Sequence, residues 1–159
     1  MMISLRKFEE ADRSAVLALS VATSQVPFVG EVAELLQEVE GMHRQVIENQ
    51  DKGIVGFFRF DTNFAKCHEF ASKTELGVRS FFIDQRYQGR GFGQQACKAI
   101  REYATKHFAE FNTAVLTVNC KNPSAINAYI KAGFIDSGEL YLGGTAGPQH
   151  IMRMALNKI

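Results

Sequence analysis

Apolar and polar positions change period several times along the chain, and each change marks an element. Ile3–Phe8 alternates apolar and polar residues, the period of a strand with one buried face. Behind Asp12, which can cap a helix, Val16, Leu17, Leu19 and Val21 recur at helical spacing. Gln25–Gly30, with Pro27 and Gly30, breaks the chain. Val32, Leu35, Leu36 and Val39 return to the helical period, with Glu31, Glu34 and Glu38 on the opposite face and Gly41 as a stop. Arg44–Glu48 and Ile54–Asp61 flank NQDKG and predict a hairpin. Thr62–Thr74 is irregular and polar, with Phe64 and Phe70 as anchors.

The second half is more regular. Leu76–Asp84 reads as a strand, and Phe92, Ala96, Ile100, Tyr103 and Phe108 fall near one face of a following helix. Thr113–Asn119 is β-branched and apolar, another strand. Asn122 as cap, Pro123 at the first helical position and Gly133 as stop delimit a short helix. Phe134–Leu140 and His150–Leu156 close the chain around the glycine-rich GGTAGP. The order β-α-α-β-β-β-α-β-α-β-β, without repeat or linker, predicts one domain over 1–159. It is of the α/β (α+β mixed) class, a mixed sheet with helices on both faces.

Composition narrows the function classes. A chain of 159 residues, 46% apolar and 22% charged, suits a soluble globular domain with a sizeable core. Its net charge of +1 favours neither nucleic acid nor an anionic membrane. No apolar run approaches the ~20 residues that span a bilayer, and MMISLRKFEEAD lacks a signal peptide's apolar stretch, so a cytoplasmic location is expected. Cys67, Cys97 and Cys120 form no CxxC pair, and the four histidines show no metal-ligand spacing, so neither a disulfide framework nor a metal is expected. Cys97 reads as core, and Cys67-His68 as loop.

The candidate chemistry sits at VRSFFIDQRYQGRGFGQ, where a strand runs through a polar turn into GRGFG and a helix. Glycines leave main-chain N–H groups bare where a helix start already carries unpaired amides and partial positive charge. The combination is an anion cradle suited to phosphate. It is not a P-loop, because GRGFGQQ lacks the lysine and hydroxyl of that motif. It is not a dinucleotide fingerprint either: the pattern is GxGxG in mid-chain, and no acidic residue closes the second strand at Thr117-Val118-Asn119.

Gln88-Gly89-Arg90-Gly91-Phe92-Gly93 resembles the Q/R-x-x-G-x-G/A motif of the GNAT N-acetyltransferases. Some thirty residues on, Asn122 to Phe134 resembles that family's second marker, N-x-x-A-x-x-x-Y-x-x-x-G-F. The likeness is sharp over 76–135, and FFIDQRYQGRGFG is similar to the spermidine/spermine and diamine acetyltransferase branch. The resemblance implies a GNAT-like central mixed, largely antiparallel sheet flanked by helices, with acetyl-CoA as co-substrate. On that reading, Gln88, Gly89, Arg90, Gly91, Phe92, Gly93 and Gln94 surround the pyrophosphate. The main chain of Phe81, Phe82 and Ile83 pairs with the pantetheine arm, and Asn122 adds a contact besides capping its helix. A primary amine of a small molecule attacks the thioester directly, a strand N–H near Ile83 holds the oxyanion, and Tyr129 protonates the departing thiolate.

The resemblance leaves the amine's proton acceptor open among Glu75, Glu69 and Asp84, the last also a natural turn residue. Glu31, Glu34 and Glu38 either line the amine pocket or form a solvated helix face. One departure stands out: where the polyamine branch carries acidic residues before Phe-Phe, this chain has Arg79 and Ser80. Arg79 repels a polycation and suits a carboxylate. Alternative readings are acetylation of a protein N-terminus or lysine, and a non-catalytic acyl-CoA sensor. Family members commonly dimerise, and the closing strands are the surface expected to serve.

Overall fold

A computed structural model describes residues 2–21, 26, 31–144 and 146–156. Apart from residue 26, the chain break expected over Gln25–Gly30 lies outside them, as does Thr145 of GGTAGP. Seven strands form one sheet: β1 (Ile3–Lys7), β2 (Met42–Asn49), β3 (Gly53–Asp61), β4 (Glu75–Ile83), β5 (Thr113–Asn119), β6 (Ile135–Tyr141) and β7 (Gln149–Ala155). Their order is β1-β2-β3-β4-β5-β7-β6, and among these pairs β4–β5 alone is parallel. The mixed, largely antiparallel sheet expected above is therefore present.

The helices are α1 (Arg13–Leu17), α2 (Val32–Leu35), α3 (Phe64–Cys67), α4 (Phe92–His107) and α5 (Pro123–Ala132). They cover both faces. Phe92, Ala96, Cys97, Ile100 and Ala104 of α4 recur on one side and pack with Tyr129 and Ala132 of α5 against Phe58, Phe60, Leu76 and Leu116. Val16 of α1 and Leu35 of α2 pack on the other face with Phe8, Val46, Phe57 and Phe82. Each fully buried Phe or Leu contributes roughly 1.5–3 kcal/mol. No described helix is long and apolar enough to cross a membrane.

Turn chemistry sets the register. Asn49 Oδ1 accepts the amides of Asp51 and Lys52, each at 3.0 Å, and Gly53 takes φ +76° to enter β3. At the end of α5, Gly133 adopts φ +115° and the Phe134 amide reaches back to the Tyr129 carbonyl at 3.0 Å.

Three local expectations need correction. α1 and α2 are single short turns: Leu17 and Val39 are exposed, and the Leu36 carbonyl is taken by Arg44 Nη1 at 2.7 Å, so a tertiary bond ends the helix before Val39. Asp12 does not cap α1. Its carboxylate accepts the Glu9 amide at 2.8 Å and pairs with Arg6, closing the 3₁₀ turn Glu10–Asp12. Thr62–Thr74, read as irregular, contains α3, whose Phe64 is buried.

Candidate active site

Parallel strands β4 and β5 pair over three positions: Glu75↔Thr113, Leu76↔Ala114 and Gly77↔Val115. Beyond Gly77 they separate. Between register pairs Phe57↔Phe82 and Arg59↔Arg79, one residue of β3 faces two of β4, Ser80 and Phe81. This is a β-bulge, and Ser80 adopts φ +57° within it. A non-glycine residue held there carries strain of about 1–3 kcal/mol. The bulge reverses alternation: Phe82, not Phe81, follows Arg79 on the α1–α2 face, and Phe81 turns to Tyr129. The splay opens a cleft of about 1030 Å³ between the end of β4, the glycine turn and α5.

Asp84 builds the turn. Its fully buried carboxylate accepts the amides of Arg86 (2.8 Å) and Ser20 (2.9 Å) and pairs with the Arg86 guanidinium. Burial pushes this carboxyl up, but the Arg86 side chain and those two amides outweigh it and hold it below the usual range. Gln88 Nε2 donates to the Ile83 carbonyl at 3.0 Å, tying the turn to the strand. Gly89 and Gly91 then take φ +80° and +81°, and α4 begins. Among the described residues, no backbone or side-chain acceptor takes the amides of 89–94; the first bond into the helix runs from Gln95 to the Gly91 carbonyl. A side chain added at Gly89 would meet no atom within 4 Å, so it is the left-handed backbone, not crowding, that favours glycine there.

Phe81, Phe82, Ile83, Gln88, Gly89, Gly91, Phe92, Gly93, Gln94, Asn122 and Tyr129 all line the cleft. Phe92 is also core, 1% exposed. Arg90 is not brought to the cleft: it is exposed, with its guanidinium 5.6 Å from the Tyr87 ring centroid. Asn122 holds the N-cap position without a side-chain bond to the helix amides; its Oδ1 accepts the Ser124 hydroxyl at 3.4 Å. Tyr129 packs edge-on to Phe81 and Phe134, 6.0 and 5.7 Å between centroids. Burial, and secondarily Cys97, pushes its hydroxyl well above the ordinary tyrosine value, so the phenol stays protonated.

None of the candidate carboxylates lines the cleft. Glu75 is buried in an ion pair with Arg153 and also accepts the Ser72 amide. Asp84 is committed to its turn, and Glu69 is exposed on a loop. Glu31, Glu34 and Glu38 are exposed as well, the solvated face of the two readings.

The chain instead brings in two residues to which the sequence reading gave no chemistry: it left Arg59 unmarked and read His68 as loop. His68 is buried against the cleft, stacked on Phe64 at 3.9 Å. Its Nδ1 lies 3.0 Å from the Phe64 carbonyl. A carbonyl only accepts, so Nδ1 carries a hydrogen, and in the neutral ring Nε2 has the lone pair. Arg59 projects from β3 beside Ser80, to whose hydroxyl Nη2 donates at 2.8 Å. The alternation of β3 was the available signal for Arg59; nothing local marks His68.

Comparison with known proteins agrees with this architecture. The family model described as Acetyltransferase (GNAT) family matches residues 14–134. A spermine/spermidine N(1)-acetyltransferase of Bacillus subtilis (strain 168) is 28% identical over 149 residues, covering 91% of this chain and 95% of the relative. Aminoglycoside acetyltransferase AAC(6')-Ib, solved with coenzyme A and kanamycin, superposes with a TM-score of 0.79 at 17% identity, covering 97% of this chain and 95% of that one. Spermidine N-acetyltransferase from Vibrio cholerae, solved with CoA and spermine, gives 0.73 at 18% identity, covering 98% and 96%. The chain belongs to the acetyltransferase (GNAT) family, and its sheet and helices form that fold.

Proposed function

We propose that this protein transfers an acetyl group from acetyl-CoA to a primary amine of a small molecule, through one domain spanning the chain. The observation that carries the reading is the splay beyond Gly77, which exposes two strand edges inside the molecule above a turn of bare amides. That site fits the co-substrate. The amides of 89–94 suit a pyrophosphate, and the open edge at Phe81–Ile83 suits an amide-bearing arm. The bound co-substrate supplies an activated acetyl thioester. Arg90 stays exposed beside the turn, outside the lining of the cleft.

The chain's own residues supply proton handling. An alkylammonium, with a pKa near ~10, must shed a proton before it can attack. His68 Nε2 takes it, since the imidazole faces the cleft and, among the described residues, no carboxylate does. The Tyr129 hydroxyl, kept protonated by burial, donates to the sulfur as the carbon–sulfur bond breaks. The main chain near Ile83 meets the charge that gathers on the carbonyl oxygen. One carbon–nitrogen bond forms and one carbon–sulfur bond breaks; of the two protons the ammonium nitrogen loses, the first leaves through His68, and the second, shed as the tetrahedral adduct collapses, restores the Tyr129 phenol whose proton has gone to sulfur.

The test is release of free thiol from acetyl-CoA across an amine panel; tight coenzyme A binding with no turnover of any amine refutes the enzymatic reading. Tyr129→Phe is expected to lower kcat by about 10²-fold with coenzyme A affinity unchanged, whereas a non-catalytic sensor loses neither. His68→Ala is expected to lower kcat by ~10²–10⁴, with exogenous imidazole restoring part of it. Loss of turnover that imidazole does not touch assigns His68 a packing role instead. A dimer and a cytoplasmic location belong to the same reading. The edge strand β6 leaves Ile135 and Leu140 exposed, and this supports self-association there.

A further inference from the structure

The acceptor half of the cleft lies on the sheet face that carries α1 and α2. Arg59 and Arg79 are directly opposed across β3 and β4. Gly77 is two residues back on the same face and is covered by Phe64, whose ring would meet a side chain there at 2.4 Å. His68 stacks on that ring. Arg59, Arg79 and His68 therefore all line one cleft, and Arg79 lies two residues, ~7 Å, along β4 from the Gly77 that Phe64 covers.

The charges at Arg59 and Arg79 do not balance. Asp61, buried on β3, pairs with Arg79 at 3.1 Å and is, among the described residues, the one carboxylate acting on Arg59. Two guanidiniums and one carboxylate leave a charge of +1. Among the described residues, no carboxylate is bonded to Arg59, and its Nε is buried without an acceptor. A buried unmet donor on a cation is costly unless a ligand meets it. The cations lining the cleft are Arg59, Arg79 and Lys131, and no described Asp or Glu lines it. Positions outside the described residues hold no Asp or Glu either. A polycation would find no counter-charge here and would face Arg59 across a partly desolvated wall.

We infer that the acceptor is an amine that also carries an anionic group, a carboxylate in the simplest case, which Arg59 binds while the amine is presented to His68. This inference rests on the acetyl-transfer reading of the same cleft. It departs from the polyamine chemistry of the curated relative, in the direction that Arg79 and Ser80 already indicate.

The experiment compares matched acceptors with and without the anion: L-lysine against L-lysinamide, L-phenylalanine against L-phenylalaninamide, 5-aminovalerate against pentylamine, with spermidine alongside. The carboxylate member of at least one pair is expected to have a kcat/KM about 10- to 100-fold higher, the value of a hydrogen bond to a charged group. Arg59→Gln is expected to bring that ratio close to one with coenzyme A affinity retained, and Arg59→Lys to keep most of it. Higher or equal activity on spermidine and the neutral members overturns the subsite, as does an Arg59→Gln enzyme that still prefers the carboxylate. The wild-type comparison stands even if the variants misfold. If no acceptor turns over in either arm, the acetyl-transfer reading fails. Equilibrium binding of the carboxylates then decides the subsite: weakening of tenfold or more in Arg59→Gln supports it, and equal binding overturns it.

Discussion

Gly91 and Gly93 are two residues apart in the same motif, yet the fold uses them differently. Gly91 takes φ +81°, where a side chain is strained although the nearest atom to an added Cβ is 3.8 Å away. Gly93 is helical, and an added Cβ would meet Ile83 at an ordinary 3.6 Å. Gly93→Ala is therefore expected to stabilise the ligand-free protein by about 0.5–1 kcal/mol, while Gly91→Ala destabilises it by roughly 1 kcal/mol. If the turn grips a diphosphate, Gly93→Ala also shrinks the rise in Tm that coenzyme A produces. Thermal melts with and without coenzyme A separate the two effects; an undiminished ligand shift in Gly93→Ala argues against the cradle. The glycine pattern was readable in the chain because left-handed backbone and bare amides demand a residue type at a spacing. The fate of a carboxylate was readable only for Asp84, a natural turn residue; Glu75 and Glu69 look alike in sequence, and only the fold gives Glu75 an arginine and leaves Glu69 exposed.

At the scale of elements, long strands and the two long helices followed directly from their periodicity, because one apolar face decides them. α1 and α2 did not, since their ends are fixed by distant groups such as Arg44 on β2. The bulge at Ser80 was equally silent, since FFI reads as unbroken strand while the register moves Phe82 to the face an unbroken alternation assigns to Phe81. The elements around β5 also depend on a long-range clamp. Glu75 on β4 and Arg153 on β7 flank β5, and Arg153 also donates to the Phe70 carbonyl at 2.8 Å. Removing one partner strands a largely buried charge, so Arg153→Met is expected to lower stability by ~2–3 kcal/mol. Pairing it with Glu75→Leu is expected to recover part of that loss. Urea midpoints at constant m-value measure both; additive losses would show that the pair does not act as a unit.

For the whole molecule, the family motifs mark the turn at which we propose a carrier is held, while the proposed acceptor site is distributed over Arg59, Asp61, His68 and Arg79. Those four come from β3, the segment after α3, and β4, and no local pattern joins them. The sheet is stitched at its centre by three parallel pairs and parted beyond them. An interior rim of this kind presents carbonyls and amides alone, whatever side chains the strand bears. The grip proposed for the carrier is thus written in backbone shape rather than in the identity of the side chains along Phe81–Ile83.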